Sequence, residues 1–165
     1  MAASRTDFAL SGSYLESAVA EWTVGAGSES MSGAAGGPKG GSTVEVTGEN
    51  FKQLVERDGI VLLDWWAAWC GPCRMFAPTF EKAAAAHPDI VFGKIDTEAQ
   101  QELAASFQIR SIPTLMIMRD QVLLFSQPGA LPEAALEDII KQVRALDMEK
   151  VRAEIAQQDK KVAGA

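Results

Sequence analysis

The chain has only two cysteines, Cys70 and Cys73, set in Trp69-Cys70-Gly71-Pro72-Cys73-Arg74. A pair at i and i+3 on a helix can form and break a disulfide, because one helical turn brings the Cα atoms within the ~4.4–6.8 Å that the bond spans. The chemistry needs one thiol held as a thiolate. A helix start supplies free backbone N–H groups and a positive dipole end that favour such an anion. Cys70 stands where a helix should begin, so it is expected to be the more exposed, attacking thiol and Cys73 the resolving one. Other readings weigh less. A structural disulfide closing so short a loop is worth only about 2 kcal/mol. A zinc half-site needs further Cys or His ligands, and the chain offers only His87. Two inert buried thiols would leave the strand-to-helix placement unexplained. No metal site and no cofactor is expected beyond the redox-active Cys70–Cys73 pair.

The elements that must hold this pair follow from patterning. Ile60–Trp66 is an apolar run interrupted only by Asp64, as in a central strand buried on both faces. A helix from about Gly71 to Ala86 follows, which Pro78 is expected to kink and His87-Pro88 to end. Upstream, Thr43–Val46 reads as a strand, and Thr47 caps a helix to about Asp58 that turns off at Gly59. Downstream, Ile90–Ile95 is a strand and Thr97 caps a helix to about Ser106. Pro113–Met118 and Val122–Ser126 form a hairpin about Arg119-Asp120-Gln121. Pro132 takes a first helical position. Leu136, Ile139, Ile140, Val143 and Leu146 give the last helix its apolar face, and that helix continues through Val151 and Ile155 to just before Gly164. The order β-α-β-α-β-α-β-β-α implies an α/β fold, a central mixed β-sheet with helices on both faces.

The rest of the chain bounds the function. A net charge of −7 argues against a nucleic-acid partner, which would need a basic face. No apolar stretch reaches the roughly 18 residues that span a bilayer, since Ile60–Trp69 is short and contains Asp64. No secretory leader pattern is seen at the N-terminus. With one Cys-x-x-Cys unit and no other cysteine, a reducing, cytoplasmic setting is expected. Gly25–Ser42 is rich in Gly, Ser and Ala, like a flexible linker. Before it, Ser13 and Glu16 form a capping box, with Tyr14, Leu15, Ala18, Val19 and Trp22 on one face of a short helix. Three units result: a flexible extension over 1–42, a domain over 43–147, and a C-terminal helical extension and tail over 148–165.

The run Asp64-Trp65-Trp66-Ala67-Ala68-Trp69-Cys70-Gly71-Pro72-Cys73 resembles the active-site segment of the thioredoxin family. Ile109-Arg110-Ser111-Ile112-Pro113-Thr114-Leu115 is similar to the segment that carries the family's cis-proline, and Lys94-Ile95-Asp96 and Gly129 match family positions as well. The resemblance covers roughly residues 43–147. It implies a thioredoxin fold, with a cis Pro113 facing the cysteines and Ile112 and Trp69 beside them. The Ile112 backbone would pair with an extended client segment, Gly129 would border the groove, and Lys94 would lie near the strand acid. Gly71 and Pro72 between the cysteines are similar to the reducing members of the fold. The implied activity is reduction of disulfide-containing client proteins, with recharging by a thioredoxin reductase and a monomer as the working unit. Asp64 is expected beneath the dithiol, its pKa raised by burial, accepting the proton of Cys73. Trp65 and Trp66 are expected to pack, Trp66 nearer the site, and His87 to cap a helix end at the surface. A binding module using the same face without turnover is the alternative, and it would not need a resolving thiol. The hairpin turn departs from the family in lacking glycine, and the stretch from Gln127 to Pro132 in being rich in proline.

Overall fold

The computed structural model describes residues 40–164, so the helix expected over Tyr14–Trp22 and all but the last three residues of the linker lie outside the described residues. Five strands form one sheet in the order β1-β3-β2-β4-β5: β1 (Thr43–Glu45), β2 (Ile60–Trp66), β3 (Val91–Asp96), β4 (Thr114–Arg119) and β5 (Val122–Pro128). β1, β2 and β3 are parallel, while β4 runs antiparallel to β2 and β5 antiparallel to β4. The sheet is mixed, as the element order implies.

Strand β2 shows why the sheet needs cover on both sides. Side chains alternate along a strand. Val61, Leu63 and Trp65 enter one apolar cluster with α1 (Phe51–Val55) and α3 (Gln101–Ser106). Ile60 and Leu62 enter the other, with α2 (Gly71–Ala86), α4 (Glu133–Ala145) and α5 (Met148–Ala163). By the same parity Asp64 faces the side that α2 covers. A buried Leu or Phe contributes roughly 1.5–3 kcal/mol, so a one-residue slip would move this whole row to the wrong face. Gly93 holds β3 close to its neighbours. A Cβ there would lie 2.6 Å from Val46 Cγ2 and 2.9 Å from Leu63 Cδ2.

Helix starts depart from expectation where a neighbouring group competes for the capping role. Thr47 does not cap α1. Its N–H donates to Asn50 Oδ1 at 2.8 Å while Asn50 Nδ2 donates to the Glu45 carbonyl at 2.9 Å, and the helix begins only at Phe51. Thr97 does not cap α3 either. Its N–H and hydroxyl both donate to the Trp66 carbonyl, at 2.9 and 3.1 Å, and α3 starts at Gln101. Pro132 is the residue before α4 rather than its first helical residue.

Helix α2 runs through Pro78 to Ala86, with His87 at its C-cap. The last helix is two helices. Leu146 leaves the helical region, and Asp147 caps α5 by accepting the N–H groups of Glu149 and Lys150 at 3.1 and 3.3 Å. Arg119 Nη1 donates to the carbonyls of Val143, Leu146 and Arg144 at 2.8, 3.0 and 3.2 Å, occupying the end at which α4 could have continued. The hairpin turn places Asp120 and Gln121 at φ +51° and +69°, a conformation usually left to glycine. Asp120 is fastened there by two bonds with Gly59, 2.8 and 3.0 Å long.

Candidate active site

The buried strand β2 ends at Trp66, and five residues later α2 begins at Gly71, with Cys70 as its N-cap. Small polar side chains usually fill that position because they accept an orphan N–H of the first turn. Here sulfur does so, Cys73 N–H donating to Cys70 Sγ at 3.2 Å. Pro72, in the first turn, lacks an N–H that would have no helical partner. The cysteines form a disulfide with their Cα atoms 5.2 Å apart.

Both residues are buried, Cys70 with 3 % and Cys73 with 2 % of its surface exposed. The greater exposure expected of Cys70 is not seen in this oxidised form. Ala67, Cys70 and Cys73 make a small cluster against which Trp66 and Ile112 pack. What distinguishes the two sulfurs is direction. Cys70 Sγ takes the helix-start N–H and lies 3.7 Å from the Ile112 carbonyl oxygen. Two large apolar side chains stand exposed at this end of α2, Trp69 at 68 % and Met75 at 79 %.

A separate segment reaches the pair through Ile112, and another is tied to that segment. The Ile112–Pro113 peptide bond is cis. The Pro113 carbonyl accepts the N–H of Gly129 at 2.8 Å, and Gly129 adopts φ +108°. A side chain at Gly129 would be strained by that backbone conformation even though the space around it is open. The proline-rich stretch after β5 is thereby tied to the segment that faces the dithiol.

Asp64 lies on the α2 side of β2 and is fully buried. Among the described residues neither of its carboxylate oxygens has a hydrogen-bond partner. Desolvation pushes its pKa from the usual carboxylate range up to about 7, only partly opposed by the positive charge of Lys94. Lys94 is its register partner on β3 and places its ammonium 4.9 Å from the centre of the Trp66 ring. A buried carboxyl poised near neutrality can take up and return a proton.

Known proteins are similar to this chain over the same region. A thioredoxin family model matches residues 42–142. The chain belongs to the thioredoxin family. A putative thioredoxin 2 of Streptomyces coelicolor is 64 % identical over 117 residues, covering 71 % of this chain and 87 % of that protein. A thioredoxin of Alicyclobacillus acidocaldarius is 40 % identical over 105 residues, covering 61 % of this chain and all of its own length. Among solved structures, a point mutant of the Halobacterium salinarum thioredoxin superimposes with a TM-score of 0.61 at 31 % identity, over 68 % of this chain and 99 % of its own. The fold is the thioredoxin fold, and the chain is a thiol–disulfide oxidoreductase acting on protein disulfides.

Every site residue expected from the sequence can now be located. Cys70, Cys73, Trp69, Gly71, Pro72, Ile112, Pro113 and Gly129 come together at one end of the sheet, and Asp64 and Lys94 lie on neighbouring strands on the α2 face. Trp65 is buried with Phe107 on the opposite face, whereas Trp66 reaches the site, as their parity requires. Sequence reasoning missed Glu98, whose Oε1 accepts the Trp69 Nε1–H at 3.0 Å. An acidic residue in an exposed loop carries no signal that separates it from ordinary surface charge. Among the described residues no group of three or more His, Cys, Asp or Glu side chains could hold a metal ion, and no helix is long and apolar enough to cross a membrane.

Proposed function

We propose that this chain works in the reducing direction, with Cys70 as the attacking thiol, Cys73 as the resolving thiol and Asp64 as the proton acceptor. The observation that carries the reading is Cys70 at the N-cap of α2, its sulfur facing the Cys73 N–H and the Ile112 carbonyl. In the dithiol form that N–H and the helix dipole favour a thiolate at Cys70. The thiolate attacks one sulfur of a client disulfide. The client S–S bond breaks, a Cys70–client disulfide forms, and the departing client thiolate takes a proton. Cys73 then gives its proton to Asp64 and attacks Cys70 Sγ. The Cys70–Cys73 bond forms, the second client thiolate leaves and is protonated, and the client has gained two electrons and two protons.

The remaining residues serve docking. Trp69, Gly71 and Pro72 form one rim, and Ile112, Pro113 and Gly129 the other. An extended client segment pairs with the Ile112 backbone in the manner of an added β-strand. Lys94, next to Asp64, moderates the cost of ionising it. A thioredoxin reductase returns the electrons, the setting is a reducing, cytoplasmic one, and the working unit is a monomer with no nucleic-acid or membrane partner. Residues 1–42 contribute nothing to turnover, and residues 148–165 form an extension of the domain.

Insulin reduction by dithiothreitol, followed by turbidity with and without the protein, tests the activity. Cys73→Ser should trap disulfide-linked clients through Cys70. A chain that binds partners without turnover would leave the insulin assay at its uncatalysed rate and yield no trapped species.

A further inference from the structure

Strand β2 sends Val61, Leu63 and Trp65 into the apolar cluster on the α1 and α3 face, and Trp65 is the one nearest the dithiol end. Its side chain is fully buried, with the ring centre 5.6 Å from that of Phe107. Among the described residues its Nε1–H has no hydrogen-bond partner. A buried N–H without an acceptor is costly, and phenylalanine or leucine would fill an apolar core free of that cost. The position thus carries the largest side chain at the expense of an orphan donor. Such a breach of a stability rule is expected where a residue serves the site.

Trp65 stands behind the segment that holds the cis bond. Its register partner on β4 is Thr114, which follows Pro113, and the Thr114 hydroxyl donates to the Ser111 carbonyl at 2.6 Å. Ile109 and Ile112 pack against the cluster that contains Trp65 and Phe107. The Ile109 N–H donates to the Ala104 carbonyl at 2.9 Å, which fixes the start of the segment to α3. Ile112 is shared between two clusters. It packs against Ala67, Cys70 and Cys73 as well, and its carbonyl oxygen lies 3.7 Å from Cys70 Sγ.

We propose that Trp65 is a positioning residue for client reduction, its bulk setting through Ile112 where that backbone stands relative to Cys70 Sγ. Protein interiors are close-packed, so a smaller side chain at this place opens space behind Ile112 and the segment settles into it. The Ile112 backbone then presents an extended client to the sulfur at the wrong height. A misplacement of about 1 Å can slow a reaction by up to about a hundredfold. Trp65 is buried and meets no client itself. This inference rests on the proposed pairing of clients with the Ile112 backbone.

Two substrates separate position from stability. Insulin offers a peptide backbone to Ile112, whereas 5,5′-dithiobis(2-nitrobenzoate) is a small disulfide that offers none. Single-turnover oxidation of the prereduced full chain is followed with each, in the parent, Trp65→Phe and Trp65→Leu, well below their melting temperatures. Trp65→Leu should lower the rate constant with insulin about tenfold and that with the small disulfide by less than about twofold. Trp65→Phe, intermediate in size, should lose about threefold on insulin alone. It carries the comparison where Trp65→Leu does not fold. The Ile112 amide signal in a 1H–15N spectrum of the client-free protein should shift in both variants.

Three results would overturn the proposal: both substrates slowed alike, an insulin rate that neither variant changes, or an Ile112 amide signal that stays at the parent position. The first is the outcome expected if Trp65 only stabilises the core. If the parent reduces the small disulfide and leaves insulin untouched, the client-reduction reading fails by itself. The Ile112 amide signal still reports, without any client, whether Trp65 holds that segment in place.

Discussion

At its N-terminal end α2 follows the strand that carries Asp64, a buried carboxyl with no hydrogen-bond partner among the described residues, and starts on a cysteine whose sulfur replaces the usual capping oxygen. Beyond its C-terminal end a cluster of charged groups pairs among itself. His87 Nε2 lies 2.8 Å from Glu137 Oε2 and His87 Nδ1 3.2 Å from Arg144 Nη2, while Arg144 makes two bonds to Asp89, of 2.6 and 2.9 Å. The pKa values follow this division. Burial raises Asp64 to about 7, whereas the bond from Arg144 lowers Asp89. One helix thus has an end that stores electrostatic cost and an end that discharges it. Stability favours the second arrangement, and the proposed transfer of a proton to Asp64 gives a reason for the first.

The largest way to break the comparison is at the cysteines. Cys70→Ser should bring insulin reduction down to the uncatalysed rate, because no other thiol occupies the helix start. Cys73→Ser should permit one attack and no turnover. Iodoacetamide, applied to the reduced protein near neutral pH and read by mass spectrometry, should label Cys70 first. Preferential labelling of Cys73 would reverse the roles.

Asp64 comes next. Its folded pKa of about 7 stands above the ordinary aspartate value of 3.8, so between these values the native state binds more protons than the unfolded state. Stability contributed by the neutral acid is complete below the unfolded pKa and is lost as pH rises through about 7. The loss approaches roughly 4 kcal/mol above that range, at about 1.4 kcal/mol per pKa unit. Asp64→Asn should therefore gain on the parent in denaturant melts as pH goes from 4 to 8, with the oxidised forms compared. It should also slow single-turnover reduction by about a hundredfold, the lower end of what a positioned proton acceptor supplies. A variant that is less stable at every pH and equally fast would make Asp64 a structural acid.

The contrast between the two ends of α2 was only half legible in the sequence. Strand β2 could be bounded correctly because its run is apolar at every position but one, and that one exception, Asp64, is a buried carboxyl with no hydrogen-bond partner among the described residues. Helix α2 was also clear, between a Cys-Gly-Pro start and a His-Pro stop. The short helices were not. Thr47 and Thr97 have the right type for a cap, but tertiary partners, Asn50 and the Trp66 carbonyl, claim their hydrogen bonds. The break at Leu146 was hidden because Val143, Val151 and Ile155 keep an apolar periodicity across it, and what ends α4 is Arg119, a residue far away in sequence. Glu98 and the pairing of His87 with Glu137 depend on long-range approach, which residue type alone does not encode.

The smallest expected effect lies at the paired end. Arg144 and Asp89 are both open to water, with side chains 38 % and 59 % exposed, so the solvent screens most of their attraction. Two parallel bonds improve the geometry, and Arg144→Ala should still cost no more than about 1 kcal/mol at pH 7. The sign with pH is opposite to that of Asp64. A lowered carboxylate pKa contributes stability that is full above the ordinary carboxylate range and is lost as pH falls through the folded value. The gap between parent and Arg144→Ala should thus be constant from pH 8 down to about 5 and close in stronger acid. Insulin reduction should be unchanged, because none of these groups approaches the sulfurs. Urea melts of the two proteins at several pH values, with the turbidity assay alongside, measure both halves. A gap that instead widens in acid, or a fall in reduction rate, would show that the two ends of α2 are coupled and that the division drawn between them does not hold.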